Sequence, residues 1–193
     1  MILFIRFLVI CFLCILFLPA CGGKSTPAYY INQDIDFSFI KAVAVLPLDN
    51  LTNDRFAGEC VRQVVISELL ASGLVDVVCP GDVAGACETA KMKTGQSPNA
   101  EQIKAIGKTL KVQGVIFGAV NKYGEIREGN VSAPEISITL MMADTNSGSI
   151  IWSVTKTYGG ADFWAKHFGA KADTMSEAVL RVVRASIQTL YRR

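Results

Sequence analysis

One helix-length segment between two short apolar runs constrains the fold of this chain more than any other feature. The run KAVAVLP (41–47) is continuous, apolar and rich in valine, so we expect a buried strand. Asn53 or Asp54 can cap a helix that continues to about Ser72, and Gly73 is placed to end it. A second apolar run, LVDVV (74–78), follows at once. Two strands joined through a helix in this way form a parallel pair with a right-handed crossover.

The pattern of the first helix predicts which of its side chains are buried. Ala57, Cys60, Val61 and Leu69 fall on one broad apolar face at 100° per residue. We therefore expect Cys60 to be a buried free thiol. Glu68 interrupts the same face, and nothing in the sequence explains a carboxylate there.

The remaining elements predict a mixed sheet. A helix over 98–111 leads into a strand over 115–122, which makes a second parallel crossover. Residues 135–142 then alternate strictly, and a turn over 144–149 returns the chain through 150–158 as an antiparallel hairpin. A capping box at Thr174 and Glu177 opens a last helix. The predicted fold class is α/β: a mixed sheet, parallel βαβαβ followed by an antiparallel hairpin, with helices packed on it and a C-terminal helix. We assign 40–193 to this single domain.

The amino terminus has the character of an export signal. Residues 7–20 form an apolar run of 14, whereas a helix that spans a bilayer needs about 20. The run ends in Leu18-Pro19-Ala20-Cys21, which resembles the lipobox of bacterial lipoproteins. We therefore predict a signal peptide over 1–20, lipid attachment at Cys21 and a flexible tether over 21–39. A signal anchor that keeps the leader is the alternative. In the lipobox family, Gly22 in place of Asp implies the outer membrane, with the domain facing the periplasm.

Composition argues against several functions. There are 19 Lys and Arg against 17 Asp and Glu, and no basic cluster precedes the terminal Arg192-Arg193, so we expect no nucleic-acid partner. The single histidine, His167, excludes a histidine-based metal cluster, and the cysteines lack zinc-binding spacing. No GxSxG, P-loop or GxGxxG motif is present. We predict a protein without enzyme activity, cofactor or metal.

Two cysteines of the body suggest a disulfide. Cys79 and Cys87 lie in a polar segment, 79–95, that we expect to be irregular apart from one helical turn. The periplasm is oxidising, and closing a loop of this size would stabilise the fold by roughly 2.5 kcal/mol.

Several stretches resemble known lipoproteins of the bacterial envelope. AVAVLPLDNLT (42–52), SGLVDVV (72–78), IGKTLKVQGVIFGAV (106–120) and ISITLMMADTNSGSIIWSVT (136–155) follow one another as they do in CsgG-like lipoproteins and in the amino-terminal domain of TolB. Lipoproteins that activate penicillin-binding proteins share the same fold. The resemblance implies helper roles in secretion, envelope assembly or wall synthesis, and it supplies no catalytic residue.

The function expected from the sequence is therefore protein binding. Exposed aromatic residues concentrate interface energy, and the candidates for partner contact are Phe163, Trp164, Phe168, Arg127 and Glu128. The main interpretation is a lipid-anchored, non-enzymatic binding or assembly factor for an envelope protein, with homo-oligomer formation left open. The alternative is a lipoprotein activator of a penicillin-binding protein that makes peptidoglycan.

Overall fold

The computed structural model of the chain describes residues 28–93, 95–128, 131–159 and 173–191. These residues form seven strands and four α-helices. The strands are β1 Ala28–Ile31, β2 Ala42–Val45, β3 Asp49–Asn50, β4 Asp76–Val77, β5 Gly114–Glu128, β6 Val131–Asp144 and β7 Ile150–Gly159. The helices are α1 Ala57–Ser72, α2 Pro80–Thr89, α3 Ala100–Leu110 and α4 Met175–Tyr191.

All seven strands belong to one mixed sheet. Its order is β1-β7-β6-β5-β2-β4, with β3 also paired to β5. Strand β2 is parallel to β4 and β5, whereas β5, β6, β7 and β1 pair in antiparallel fashion. The predicted fold class is confirmed: parallel βαβ units precede an antiparallel hairpin, and a helix ends the described chain.

Helices cover the sheet on two sides. Helices α1 and α4 pack on one face over a large apolar core that contains Trp152. Helices α2 and α3 pack on the other face over a smaller core, built on Val115 and Phe117 of β5. The strand residues alternate between the two cores, so Val43 and Val45 of β2 join the first and Ala44 joins the second.

Helix α1 ends where the sequence predicts, but one residue predicted to be buried, Cys60, is exposed. Gly73 adopts the left-handed conformation at φ 65° and closes the helix. Cys60 is exposed, so its predicted burial is wrong: Ala57, Val61 and Leu69 of the predicted face are fully buried, but Cys60 lies outside the buried stripe. Glu68 now has an explanation, because both of its carboxylate oxygens accept hydrogen bonds from Arg184 of α4, at 2.9 and 3.0 Å.

The segment expected to be irregular contains helix α2, and this excludes the predicted disulfide. Cys79 precedes the helix and is exposed, whereas Cys87 lies inside it and is buried. At 1.5 Å of rise per residue the two Cα atoms are about 12 Å apart, and a disulfide needs less than about 7 Å. Both thiols are free, so Cys87, not Cys60, is the buried thiol.

The predicted tether, 21–39, is partly ordered. Residues 28–31 form the edge strand β1, in which Ile31 pairs with Trp152, and a 3-10 turn spans Phe37–Phe39. The tyrosines and isoleucine of β1 favour a strand, and the neighbouring β7 supplies the pairing partner. Strand β5 likewise runs to residue 128, well past the predicted end at residue 122.

Helices α3 and α4 both begin with paired side-chain and backbone hydrogen bonds. The Asn99 side chain accepts from the Gln102 amide at 2.9 Å, and the Gln102 side chain accepts from the Asn99 amide at 3.0 Å. The predicted capping box at Thr174 and Glu177 is confirmed. The Thr174 amide donates to Glu177 at 2.7 Å, and the Glu177 amide donates to Thr174 at 3.3 Å.

Candidate functional site

The loop between β3 and α1, residues 51–56, lies at the carboxyl end of the parallel strands. Strand β3 continues the line of β2 and pairs with Ala119 and Val120 of β5. The Leu51 amide then donates to the carbonyl of Val120 at 3.0 Å, and α1 begins a few residues later at Ala57. In open α/β sheets this edge is where loops carry ligand and partner contacts.

Side-chain hydrogen bonds hold this β3–α1 loop in one conformation. Asn50 Oδ1 accepts from the amide and the hydroxyl of Thr52, at 3.1 and 2.7 Å. Asn50 Nδ2 donates to the carbonyl of Asp54 at 2.7 Å, and Asp54 Oδ1 accepts from the Phe56 amide at 2.8 Å. Such Asx-type bonds take the place of the regular backbone hydrogen bonds that a strand or helix would provide. The loop is therefore ordered before any partner binds.

The ordered loop presents apolar side chains to solvent. Leu51 is 68% exposed and Phe56 is 58% exposed. The guanidinium carbon of Arg55 lies 4.4 Å from the centroid of the Phe56 ring, in a cation–π contact. We call Leu51, Arg55 and Phe56 the docking patch. Aromatic residues and arginine are enriched at protein interfaces, and here such a pair lies on an ordered loop.

Tyr123 of β5 lies beside the docking patch. Its pKa is raised by burial first, and then by the nearby Cys60 thiol and Asp54 carboxylate. The phenol is therefore neutral at physiological pH. The Asp54 carboxylate already accepts a hydrogen bond from the Phe56 amide. The polar groups on the side of the patch next to α1 therefore include one that already has a partner within the loop.

A buried arginine connects α1, the helix that follows the docking patch, to strand β2. Arg62 of α1 is 6% exposed, and its Nε and Nη2 donate to the carbonyl of Val45 at 3.0 and 2.9 Å. Its Nη1 lies 3.4 Å from a carboxylate oxygen of Glu59. Burial raises the pKa of the Cys87 thiol, and the positive charge of Arg62 partly opposes that shift. The contact ties α1 to the end of β2, which fixes where the loop emerges.

The structure separates the predicted contact residues from this patch. Arg127 is exposed in β5 and pairs with Ser132, and Glu128 is the last residue of β5. Cys21, Phe163, Trp164, His167 and Phe168 lie outside the described residues. Leu51 and Phe56 were missed as candidates, although two large apolar residues in an otherwise polar segment were a usable signal.

The described part of the chain contains no group of side chains arranged as a metal site. Across residues 28–93, 95–128, 131–159 and 173–191, no three His, Cys, Asp or Glu side chains come together as metal ligands would. What the patch offers is a rigid apolar and cationic surface, which suits recognition of another macromolecule.

Comparison with protein families identifies the relatives of this chain. The model of the family described as "Peptidoglycan-synthase activator LpoB" matches residues 26–158, which is more than two thirds of the chain. The chain belongs to the LpoB family. The matched range includes the whole sheet up to β7 and the docking patch of this LpoB-family protein. No curated protein sequence matches the chain.

Solved structures share the fold of this LpoB-family protein. A PelC dodecamer from Paraburkholderia phytofirmans has a TM-score of 0.58 at 17% identity, covering 84% of this chain and 96% of PelC. Lipoprotein GNA1162 from Neisseria meningitidis has a TM-score of 0.55 at 14% identity, covering 78% of this chain and 98% of that protein. At these identities the likeness concerns the fold alone.

The family match refines the resemblance drawn from the sequence. The activators of peptidoglycan synthesis, which the sequence offered as relatives in fold and as the alternative function, are the family to which the chain belongs. The CsgG-like and TolB-like labels are not confirmed.

Proposed function

We propose that this protein is an envelope lipoprotein that binds a peptidoglycan synthase and raises its activity, without catalysing a reaction itself. Membership of the LpoB family supports this alternative over the secretion or assembly factor that was the main interpretation of the sequence. The family is described by its activation of another enzyme, and this favours a regulatory role over a catalytic one.

The observation that carries the proposal is the docking patch. Phe56 and Leu51 are more than half exposed on a loop that Asn50 and Asp54 already hold in place. A preorganised loop loses little conformational entropy on binding, so most of its contact energy is retained as affinity. Arg55 adds a positive charge above the ring, which suits a carboxylate of the synthase beside an apolar pocket.

We further propose that Cys21 carries the lipid that holds the protein at the outer membrane, with the domain in the periplasm. The short apolar leader and the sequence Leu18-Pro19-Ala20-Cys21 support this placement. Within the described ranges, no helix combines the length and the apolar character that crossing a bilayer requires. Two or more acyl chains make membrane residence stable, at about 0.8 kcal/mol per buried CH₂.

The test is the rate of glycan polymerisation by purified peptidoglycan synthases of the same bacterium, measured with and without the full-length lipoprotein. We expect one synthase to be accelerated, and Phe56→Ala to weaken its binding by about 2 kcal/mol, or roughly thirtyfold. Tyr29→Ala is the matched control, because Tyr29 is an aromatic residue of β1 that is similarly exposed, at 50%, but lies on the far edge of the sheet.

Two outcomes would contradict the proposal. If no synthase changes its rate or binds the wild-type protein, the activator function is wrong. If Phe56→Ala and Tyr29→Ala weaken binding equally, the activator function survives but the docking patch is not its contact surface.

A further inference from the structure

A cavity opens at the end of the sheet opposite the docking patch. It has a volume of about 440 Å³ and lies at the amino ends of the parallel strands β2 and β4. The segment between β1 and β2 forms one wall, and the end of α4 forms another. The size falls within the range of cavities that hold small ligands in proteins.

The surface that lines this amino-end cavity is mainly apolar, and its polar side chains are Asp36, Ser38, Lys41 and Tyr191. Ile40, Met142 and Leu190 are almost fully buried around it, at 4%, 2% and 6% exposure. Leu74 is 54% exposed in the same lining. The Asp36 carboxylate accepts two hydrogen bonds from Ser38, at 2.6 and 2.9 Å, and the Tyr191 hydroxyl lies 3.4 Å from the Ser72 hydroxyl, so these polar groups already have partners. A mainly apolar lining suits a hydrocarbon chain, because both surfaces are removed from water on binding.

We propose that the amino-end cavity receives an acyl chain carried on Cys21 of the same molecule. The inference rests on the lipid attachment made part of the proposed function. The short length of chain between Cys21 and the domain favours this occupant over a free lipid.

The tether is long enough to reach the cavity. Seven residues lead from Cys21 to Ala28, and an extended chain spans about 3.3 Å per residue, or roughly 23 Å in all. From Ala28 the cavity is three residues along β1 and two strands across, since Ile31 pairs with Trp152 and Trp152 pairs with Met142. Strand rise and spacing make that distance about 14 Å.

Occupation of the cavity would regulate the anchor. A protein held by a single chain binds a bilayer only marginally and reversibly, whereas two chains hold it stably. A chain moved from the bilayer into the cavity weakens the anchor and draws the amino end of the sheet toward the membrane. The docking patch, at the opposite end, then faces away from the lipid.

The test uses the full-length protein as bacteria make it. Cells are fed a fatty acid that carries a photoreactive diazirine, the membranes are irradiated, and the purified protein is digested and mapped by mass spectrometry. We expect the chain on Cys21 to be crosslinked to peptides that contain residues 36–41, 74–75 or 142.

A matched pair of variants locates the contact. Leu74→Glu puts a charge into the cavity lining and should lower the crosslink yield by about tenfold, because a bound acyl chain would cover the charge and desolvation of a charge is costly. Leu70→Glu is the control: Leu70 is 55% exposed, does not line the cavity, and should leave the yield unchanged. Both sites are exposed, so neither variant should unfold the domain.

Three results would overturn the inference, and they are distinguishable. An acylated Cys21 without crosslinks to the cavity refutes occupation and leaves the anchor intact. A Cys21 without acyl mass removes the anchor as well, although synthase activation can still be measured. Crosslinks that persist in Cys21→Ser show that another lipid supplies the chain.

Discussion

Gly107 marks the closest approach between α3 and the turn after β6. A Cβ atom at this position would lie 2.3 Å from the Cβ of Thr145. Thr145 cannot retreat easily, because its hydroxyl donates to the carbonyl of Val112 at 2.7 Å and its amide donates to Gln113 at 3.0 Å. The helix can therefore pack this closely only with glycine at residue 107.

We expect Gly107→Ala to lower the free energy of unfolding by about 1–3 kcal/mol, the usual cost of overpacking. Gly85→Ala is the control, since Gly85 lies in α2 and an added Cβ would meet nothing within 4 Å. That change should stabilise the protein by about 0.5–1 kcal/mol, because alanine is the better helix former. Urea unfolding measures both; equal effects would refute the packing argument.

Asp49 provides a pH dependence at the carboxyl end of the sheet. Burial raises the pKa of its carboxyl group above the ordinary value near 3.8. The folded protein therefore binds the proton more tightly than the unfolded chain does. Between the ordinary and the raised pKa, the free energy of unfolding decreases as the pH rises. At lower pH the carboxyl group is protonated, and the cost of burying its charge is absent.

Asp49→Asn removes this titration. We expect the wild-type protein and the variant to differ least at about pH 3, and the wild type to lose stability relative to the variant as the pH rises through the raised pKa. Urea unfolding at a series of pH values gives the difference directly. A difference that is constant with pH, or that grows as the pH falls, would contradict the assignment.

At the level of elements, a buried hydrogen bond joins helix α4 to the sheet in addition to the apolar contacts of the large core. The indole Nε1 of Trp152 in β7 donates to the hydroxyl of Thr189 at 2.9 Å, and that hydroxyl donates to the carbonyl of Ser186 at 2.7 Å. Trp152 is fully buried. Its N–H therefore has no access to solvent if the threonine hydroxyl is lost.

We expect Thr189→Val to lower the free energy of unfolding by about 1–3 kcal/mol, the cost of an unsatisfied buried donor. Thr109→Val in α3 is the matched control, because the Thr109 hydroxyl makes only an intrahelical bond to Ala105, at 2.9 Å, on an exposed face. Its effect should stay within about 0.5 kcal/mol. Similar losses in the two variants would show that the intrahelical bond, not the indole, matters.

The elements also show what the sequence could and could not predict. The parallel strands β2, β4 and β5 were predictable, because their apolar runs are bounded by helices with clear caps and stops. Helix α2 was not, because Gly81 and Gly85 weaken its helical pattern while burial of Val83 and Cys87 supplies the stabilisation from outside. The exposure of Phe56 depends on the direction in which the loop leaves β3. No local sequence pattern predicts that direction.

At the scale of the whole molecule, the two proposed surfaces occupy opposite ends of one sheet. The docking patch follows the carboxyl ends of the parallel strands, and the amino-end cavity precedes their amino ends. The rigid sheet between them keeps the two surfaces apart. A partner bound at the patch and a lipid bound at the cavity can therefore be present at the same time without competing for space.

The pairing of β1 with β7 has a consequence for the order in which the protein is synthesised and folds. A polypeptide emerges amino terminus first, yet the residues that complete β1 are Trp152 to Thr155, near the other end of the chain. Strand β1 is synthesised first, but it can pair only after β7, the last of the seven described strands, has been synthesised. With export in the unfolded state, as the proposed signal peptide implies, this strand order keeps the sheet open until β7 has followed β1 across the membrane.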